Sequence, residues 1–266
     1  MSAIALEHAS PRLSLDRLRA ASPLLWWTSL AFLMFFVLCS GLSVVDPRLL
    51  NGISVWIKPA KFFLSLSLHM LTLCFGLTLL PERVRSAIPT SIASATMVAM
   101  ALFEMAYITF RAARGEASHF NTGSEIASML YSLMGAGAAL MMVVTFFIGV
   151  QVLRHGARKV MASATGWGFI IAALLTLVIG FTLGGMGSHW IGGEHTDATG
   201  LPVLGWSTTG GDLRPAHFFG LHLMQAMPLA ALSGSRSVVW VAAALGLAVT
   251  IAAYVLALNG VALLAI

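Results

Sequence analysis

Residues 210 to 229 read GGDLRPAHFFGLHLMQAMPL, and residues 215–232, which overlap them, are read as one of seven membrane spans. The stretch is largely apolar, yet it holds His217, His222 and Gln225, with Asp212 and Arg214 at its start. Ionisable side chains are costly in hydrocarbon and normally turn towards a bundle interior or an aqueous cavity. The stretch is therefore read as a span that serves a polar interior. Pro215 suits a first helical turn and Asp212 the positive helix end, while Pro228 deprives the Met224 carbonyl of its usual donor, so a kinked helix is expected.

Six further runs, near residues 24–45, 59–80, 88–110, 126–153, 163–186 and 238–264, resemble it in length. Each approaches the roughly 20 mainly apolar residues that a spanning helix needs. Of the 266 residues 58% are hydrophobic and only 9% charged, against about a quarter charged in soluble domains. The expectation is an all-α, polytopic membrane helix bundle with seven transmembrane helices. A polar tail, residues 1–23, precedes a single domain, residues 24–266. The first apolar run is too long and too far from the start for an ordinary cleaved signal peptide and is read as an uncleaved span.

Nine of the fifteen Lys and Arg lie on one side of these spans: Arg12, Arg17, Arg19, Arg83, Arg85, Arg154, Arg158, Lys159 and Arg236. Six lie on the other: Arg48, Lys58, Lys61, Arg111, Arg114 and Arg214. By the positive-inside rule the N-terminus is inside and the C-terminus outside. Trp26, Trp27, Trp167 and Trp240 then mark inner span ends, and Trp56, Trp190 and Trp206 outer ones. Inner loops are short and basic, whereas the outer loops, 46–58, 111–125 and 187–214, are longer and richer in polar residues. The setting expected is a bacterial inner membrane, with the lipid bilayer as the first partner. The net charge of +5 is topology signal rather than a nucleic-acid surface, because no basic stripe forms. Cys39 and Cys74 sit in apolar runs and are read as core residues.

The polar residues inside spans carry the functional expectations. Counted inward at about 1.5 Å per residue, Glu104 and His222 fall about 10 Å deep, and His69 and Gln225 about 15 Å deep. Glu104, Tyr107 and Arg111 recur at i, i+3 and i+7 and form one stripe; Lys58, Lys61, Ser65 and His69 form a second. Glu104, Tyr107 and His217 are read as catalytic. His69, His222 and Gln225 are read as cofactor-binding, the two imidazoles as axial ligands of a b-type haem or as ligands of a transition metal. Lys58, Lys61, Arg111, Arg114 and Arg214 ring the outer mouth, where an anionic substrate would sit. His119, His189, His195 and Asp212, from neighbouring loops, make a possible metal set without a diagnostic spacing. Gly180 and Gly184, followed by Gly185 and Gly187, give a small-xxx-small pattern that predicts close helix approach and offers an oligomer contact.

The span count resembles that of microbial rhodopsins, but residues 238–264 contain no lysine to attach retinal. The closely spaced histidine pair of seven-span ceramidase-type hydrolases is also missing from the last helices. The reading that follows from the residues is a membrane enzyme with an outward-facing site lined by histidines and carboxylates, dependent on a metal or b-type haem and redox in character. The alternatives are a proton-coupled small-solute or anion transporter and a non-catalytic assembly or sensor protein.

Overall fold

The computed structural model describes residues 14–157 and 159–264. Most of the polar tail, with Arg12, and the basic loop residue Arg158 lie outside the described residues.

A short helix α1 (Leu15–Ala21) leads into α2 (Pro23–Val45), which Ser22 caps and Pro23 opens. The helices α3 (Ile57–Thr78), α4 (Glu82–Arg85), α5 (Ile88–Ala113), α6 (Glu125–His155) and α7 (Val160–Met186) follow. The chain ends with α8 (Leu213–Ala230) and α9 (Arg236–Leu258). Side-chain caps set several starts: Ser124 accepts from the Ala127 amide, Asp212 from Arg214 and Ser235 from Val238. Gly187, in the left-handed region, ends α7.

Six helices, α2, α3, α5, α6, α7 and α9, are long and apolar enough to cross a membrane, which marks an integral membrane protein. The seventh expected span is α8. Its 18 residues form one helix through Pro228, but its polar content leaves it out of the set that length and apolarity alone select. It packs against both α7 and α9.

The hub is α3, which touches α1, α2, α5, α6 and α7. Its buried face carries Phe63, Met70, Leu73 and Leu77. Large apolar side chains such as Val37, Phe110, Phe181 and Leu245 remain exposed, as a lipid-facing surface requires. Close approach between helices occurs at glycines, though not at Gly180 and Gly184, where an added Cβ would meet nothing within 4 Å. At Gly149 on α6 it would stand 2.9 Å from the Gly166 carbonyl oxygen and from the Phe169 Cβ of α7.

Two small ribbons and a lid cover one end. The hairpin β1 (Leu49–Leu50) and β2 (Ile53–Ser54) turns through Asn51 and Gly52, both at positive φ, and suits a tight two-residue turn. Asp46 beside it takes a fork of hydrogen bonds from Arg48 and one from the Trp56 indole at 2.7 Å. These hold its carboxyl well below the usual range. Residues 187 to 212 form the lid, whose ends pair as β3 (Trp190–Ile191) with β4 (Gly211–Asp212). The Asp197 amide and Thr196 hydroxyl both donate to the Asn51 carbonyl and dock the lid on the hairpin.

Candidate functional site

Beneath the lid, Glu104 is 4% exposed. The carboxylate sits two-thirds of the way along α5, one turn before Tyr107 and two before Arg111, so the stripe expected from the sequence exists. Its Oε1 lies 3.8 Å from Nε2 of His119. Its Oε2 is buried and has no hydrogen-bond partner. The hydroxyl of Tyr107 is in the same condition, as are Nε2 of His189, Nε1 of Trp190 and Nδ1 of His217. Buried polar atoms are normally satisfied, and each exception calls for an explanation.

Glu104, His189 and His217 lie within electrostatic reach of His119. Its Nδ1 meets the Ser118 hydroxyl at 3.1 Å, and its ring packs against Phe62, Phe120 and Tyr131. Phe120 in turn meets His189, which lies 3.9 Å from the Trp190 ring. Burial first, then the positive charge of Lys58 and the neighbouring His189 and His217, push His119 well below its ordinary value, so it is neutral. His189 is pushed to about 3, by burial and then by the Arg214 charge. Lys58, from the first turn of α3, is within electrostatic reach of Glu104, Asp197 and Arg214. Among the described residues it makes no hydrogen bond or ion pair; its ammonium lies 5.9 Å from the Phe62 ring centre.

The other expected anion-binding cations are committed to the protein. Arg111 and Arg114 share Glu116, at 2.8 and 3.1 Å. Lys61 donates to the Leu204 carbonyl at 2.9 Å. Arg214 forks onto Asp212, reaches Asp197 at 2.6 Å and Gly205 O at 2.6 Å, and lies over Trp190. Arg111 and Arg114 fasten their own loop, while Lys61 and Arg214 hold the lid. Asp212 also accepts from the Ser207 amide, so its oxygens are occupied. Glu116 and Asp197 stand out in the sequence as outer-loop carboxylates, but not as partners of these arginines, because nothing in their local sequence tells which arginine each will meet.

Of the expected metal set, His119 and His189 face the buried cluster, Asp212 belongs to the latch with Arg214, and His195 is exposed and stacks on Trp190. Among the described residues no group of three His, Cys, Asp or Glu is placed to hold a metal ion. The expected cofactor residues also have protein partners. Nε2 of His69, on α3, meets the Thr145 hydroxyl of α6 at 2.8 Å. Nδ1 of His222 meets Oε1 of Gln225 at 3.1 Å, and Nε2 of Gln225 donates to Thr72 of α3 at 3.0 Å.

The arrangement offers one cation, one buried carboxylate and imidazoles within electrostatic reach of one another, with a phenol one turn from the carboxylate. Such a set can bind a small polar molecule and move a proton on it. Comparison of the chain with protein family models, with curated proteins and with solved structures finds no match.

Proposed function

We propose that the chain is a membrane-embedded enzyme whose lid-covered site performs acid–base chemistry on a small polar or anionic substrate. The observation that carries this reading is the set of buried, unpartnered polar atoms on Glu104, His189 and His217 near His119, with the Tyr107 hydroxyl one turn along α5 from Glu104. His69, by contrast, is paired with Thr145. In this reading Lys58 holds the substrate's negative charge. His119 and Glu104 exchange its proton, and Tyr107 and His217 orient it by hydrogen bonds. Imidazole and carboxyl groups are the side chains that general acid–base catalysis uses most often.

The finer topology is part of the same proposal: α8 completes seven spans, the N-terminus is inside, and the lid faces outward, on the loop-charge asymmetry and the tryptophan positions. A redox version, with a transition metal or b-type haem, is tested by the metal content and absorption spectrum of the purified protein. The transporter reading draws on His69 and His217, each of which lies within electrostatic reach of His222. An intramembrane row of ionisable groups suits a proton relay.

The enzyme reading is tested by complementation of a deletion strain. Glu104→Gln and His119→Asn are expected to express normally and fail to complement, whereas Glu82→Gln and Glu125→Gln complement fully. Full complementation by both site variants would overturn it.

A further inference from the structure

One face of α8 does not turn to the bundle interior. Phe218, His222, Gln225 and Leu229 recur at i, i+4, i+7 and i+11 and so share a face. Phe218 is 40% and Leu229 64% exposed. His222 and Gln225 between them are partly buried, and Gln225 meets Thr72 of α3, one turn from Leu68, itself 40% exposed. An imidazole and an amide therefore lie mid-helix on a surface that is otherwise apolar, where α8 meets α3.

The hydrogen bonds there have a fixed direction. The Thr72 hydroxyl donates to the Leu68 carbonyl at 2.7 Å, which uses its only proton. Thr72 can then only accept from Gln225, so the Gln225 amide nitrogen faces Thr72 at 3.0 Å. That leaves Oε1 of Gln225, a pure acceptor, facing Nδ1 of His222 at 3.1 Å. Nδ1 must carry the imidazole proton. In the neutral ring Nε2 is then an unprotonated acceptor, and no described residue donates to it. The Phe218 ring, 4.3 Å away centre to centre, flanks the imidazole.

We infer that His222 Nε2 is the acceptor for a hydroxyl group on a membrane-soluble molecule that reaches it from the bilayer where α8 meets α3, an inference that rests on the proposed reading of α8 as a span. The polarity of the Leu68–Thr72–Gln225–His222 relay selects a donor, and so excludes a ligand presenting only carbonyl or ether oxygens. The apolar flanks, Phe218 and Leu68, select a molecule that is otherwise hydrophobic. A quinol and a polyprenyl alcohol share this chemistry. The inference does not depend on the reaction beneath the lid.

The test uses the full chain, labelled with nitrogen-15 histidine, in lipid nanodiscs, with the His222 signal identified by its loss in His222→Asn. Without ligand the resonance is expected to show the Nδ1–H tautomer. A short-chain benzoquinol and a polyprenol are then added separately, with the methyl ether of the quinol as control. The Nε2 signal is expected to move with at least one of the two alcohols and not with the ether, and the probe that moves it identifies the source. In Gln225→Leu the His69 signal should be unchanged, which reports an intact fold. The tautomer preference should be lost and the probe held about three- to tenfold less tightly, as for one hydrogen bond. An Nε2–H tautomer in the free protein, or a signal that moves with neither alcohol, would overturn the inference.

Discussion

Single residues in this protein divide into those whose polar atoms are spent on packing and those whose atoms are held in reserve. His69 belongs to the first kind. It is 3% exposed and Thr145 is fully buried, so their hydrogen bond joins α3 to α6 in a dry interior. Thr145→Val keeps the shape and removes the partner; a loss of about 1–2 kcal/mol is expected, from the cost of leaving a buried polar atom unsatisfied. Equilibrium unfolding in mixed micelles measures it, and an unchanged stability would show that His69 finds another partner. His119 and His189 belong to the second kind and titrate in a defined direction. Both are neutral in the closed protein, with His189 held at about 3 against an ordinary 6.5. An opened or unfolded chain takes up protons on them near 6.5. Their contribution is therefore complete above that pH and is lost as pH falls from 6.5 towards 3. Melting temperature followed from pH 8 to pH 5 should drop, and drop less steeply in His189→Gln.

At the scale of elements, the helices follow from hydrophobic runs, caps and prolines, which is why every expected span has a helix that starts within a few residues of the expected start, although α9 ends at Leu258, short of the expected 264. The contacts between helices were harder to read. The Gly180 and Gly184 spacing looked like a packing motif, yet those residues face open space, while the isolated Gly149 makes the tight α6–α7 crossing. A single glycine has no pattern, so only its neighbours reveal it. Gly149→Ala should cost about 1–3 kcal/mol through overpacking. Gly184→Ala should be neutral or slightly stabilising, because alanine is the better helix former. Thermal unfolding of the two variants separates the cases, and equal effects would contradict the assignment. The polar residues of α8 show a similar limit. The sequence places His222 and Gln225 in the membrane, and cost alone points them inward. The helix instead leaves them partly exposed beside α3, where Thr72 accepts from Gln225.

For the whole molecule, loop charge and tryptophan positions support the proposed orientation, and the concentration of histidines and carboxylates towards one end points to the candidate site. The partners of Arg111, Arg114 and Arg214 were not legible: Arg111 and Arg114 meet Glu116 within their own loop, and Arg214 meets Asp197 only where the lid folds back on α8. The proposed outward lid is checked by labelling in intact cells. Val203 is 87% exposed at the lid tip, and both native cysteines are buried, so Val203→Cys should react with an impermeant maleimide without permeabilisation. Reaction only after permeabilisation would invert the topology. The claim that matters most is that the lid covers a binding site built from Lys58, Glu104 and His119. It is tested most directly by thermal stability in nanodiscs across a panel of small carboxylates, phosphates and polar neutral compounds, comparing wild type with Lys58→Met and Glu104→Gln. The account predicts at least one compound class that raises the wild-type melting temperature and leaves both variants unmoved. A panel with no stabilising class, or equal stabilisation of all three proteins, would contradict it.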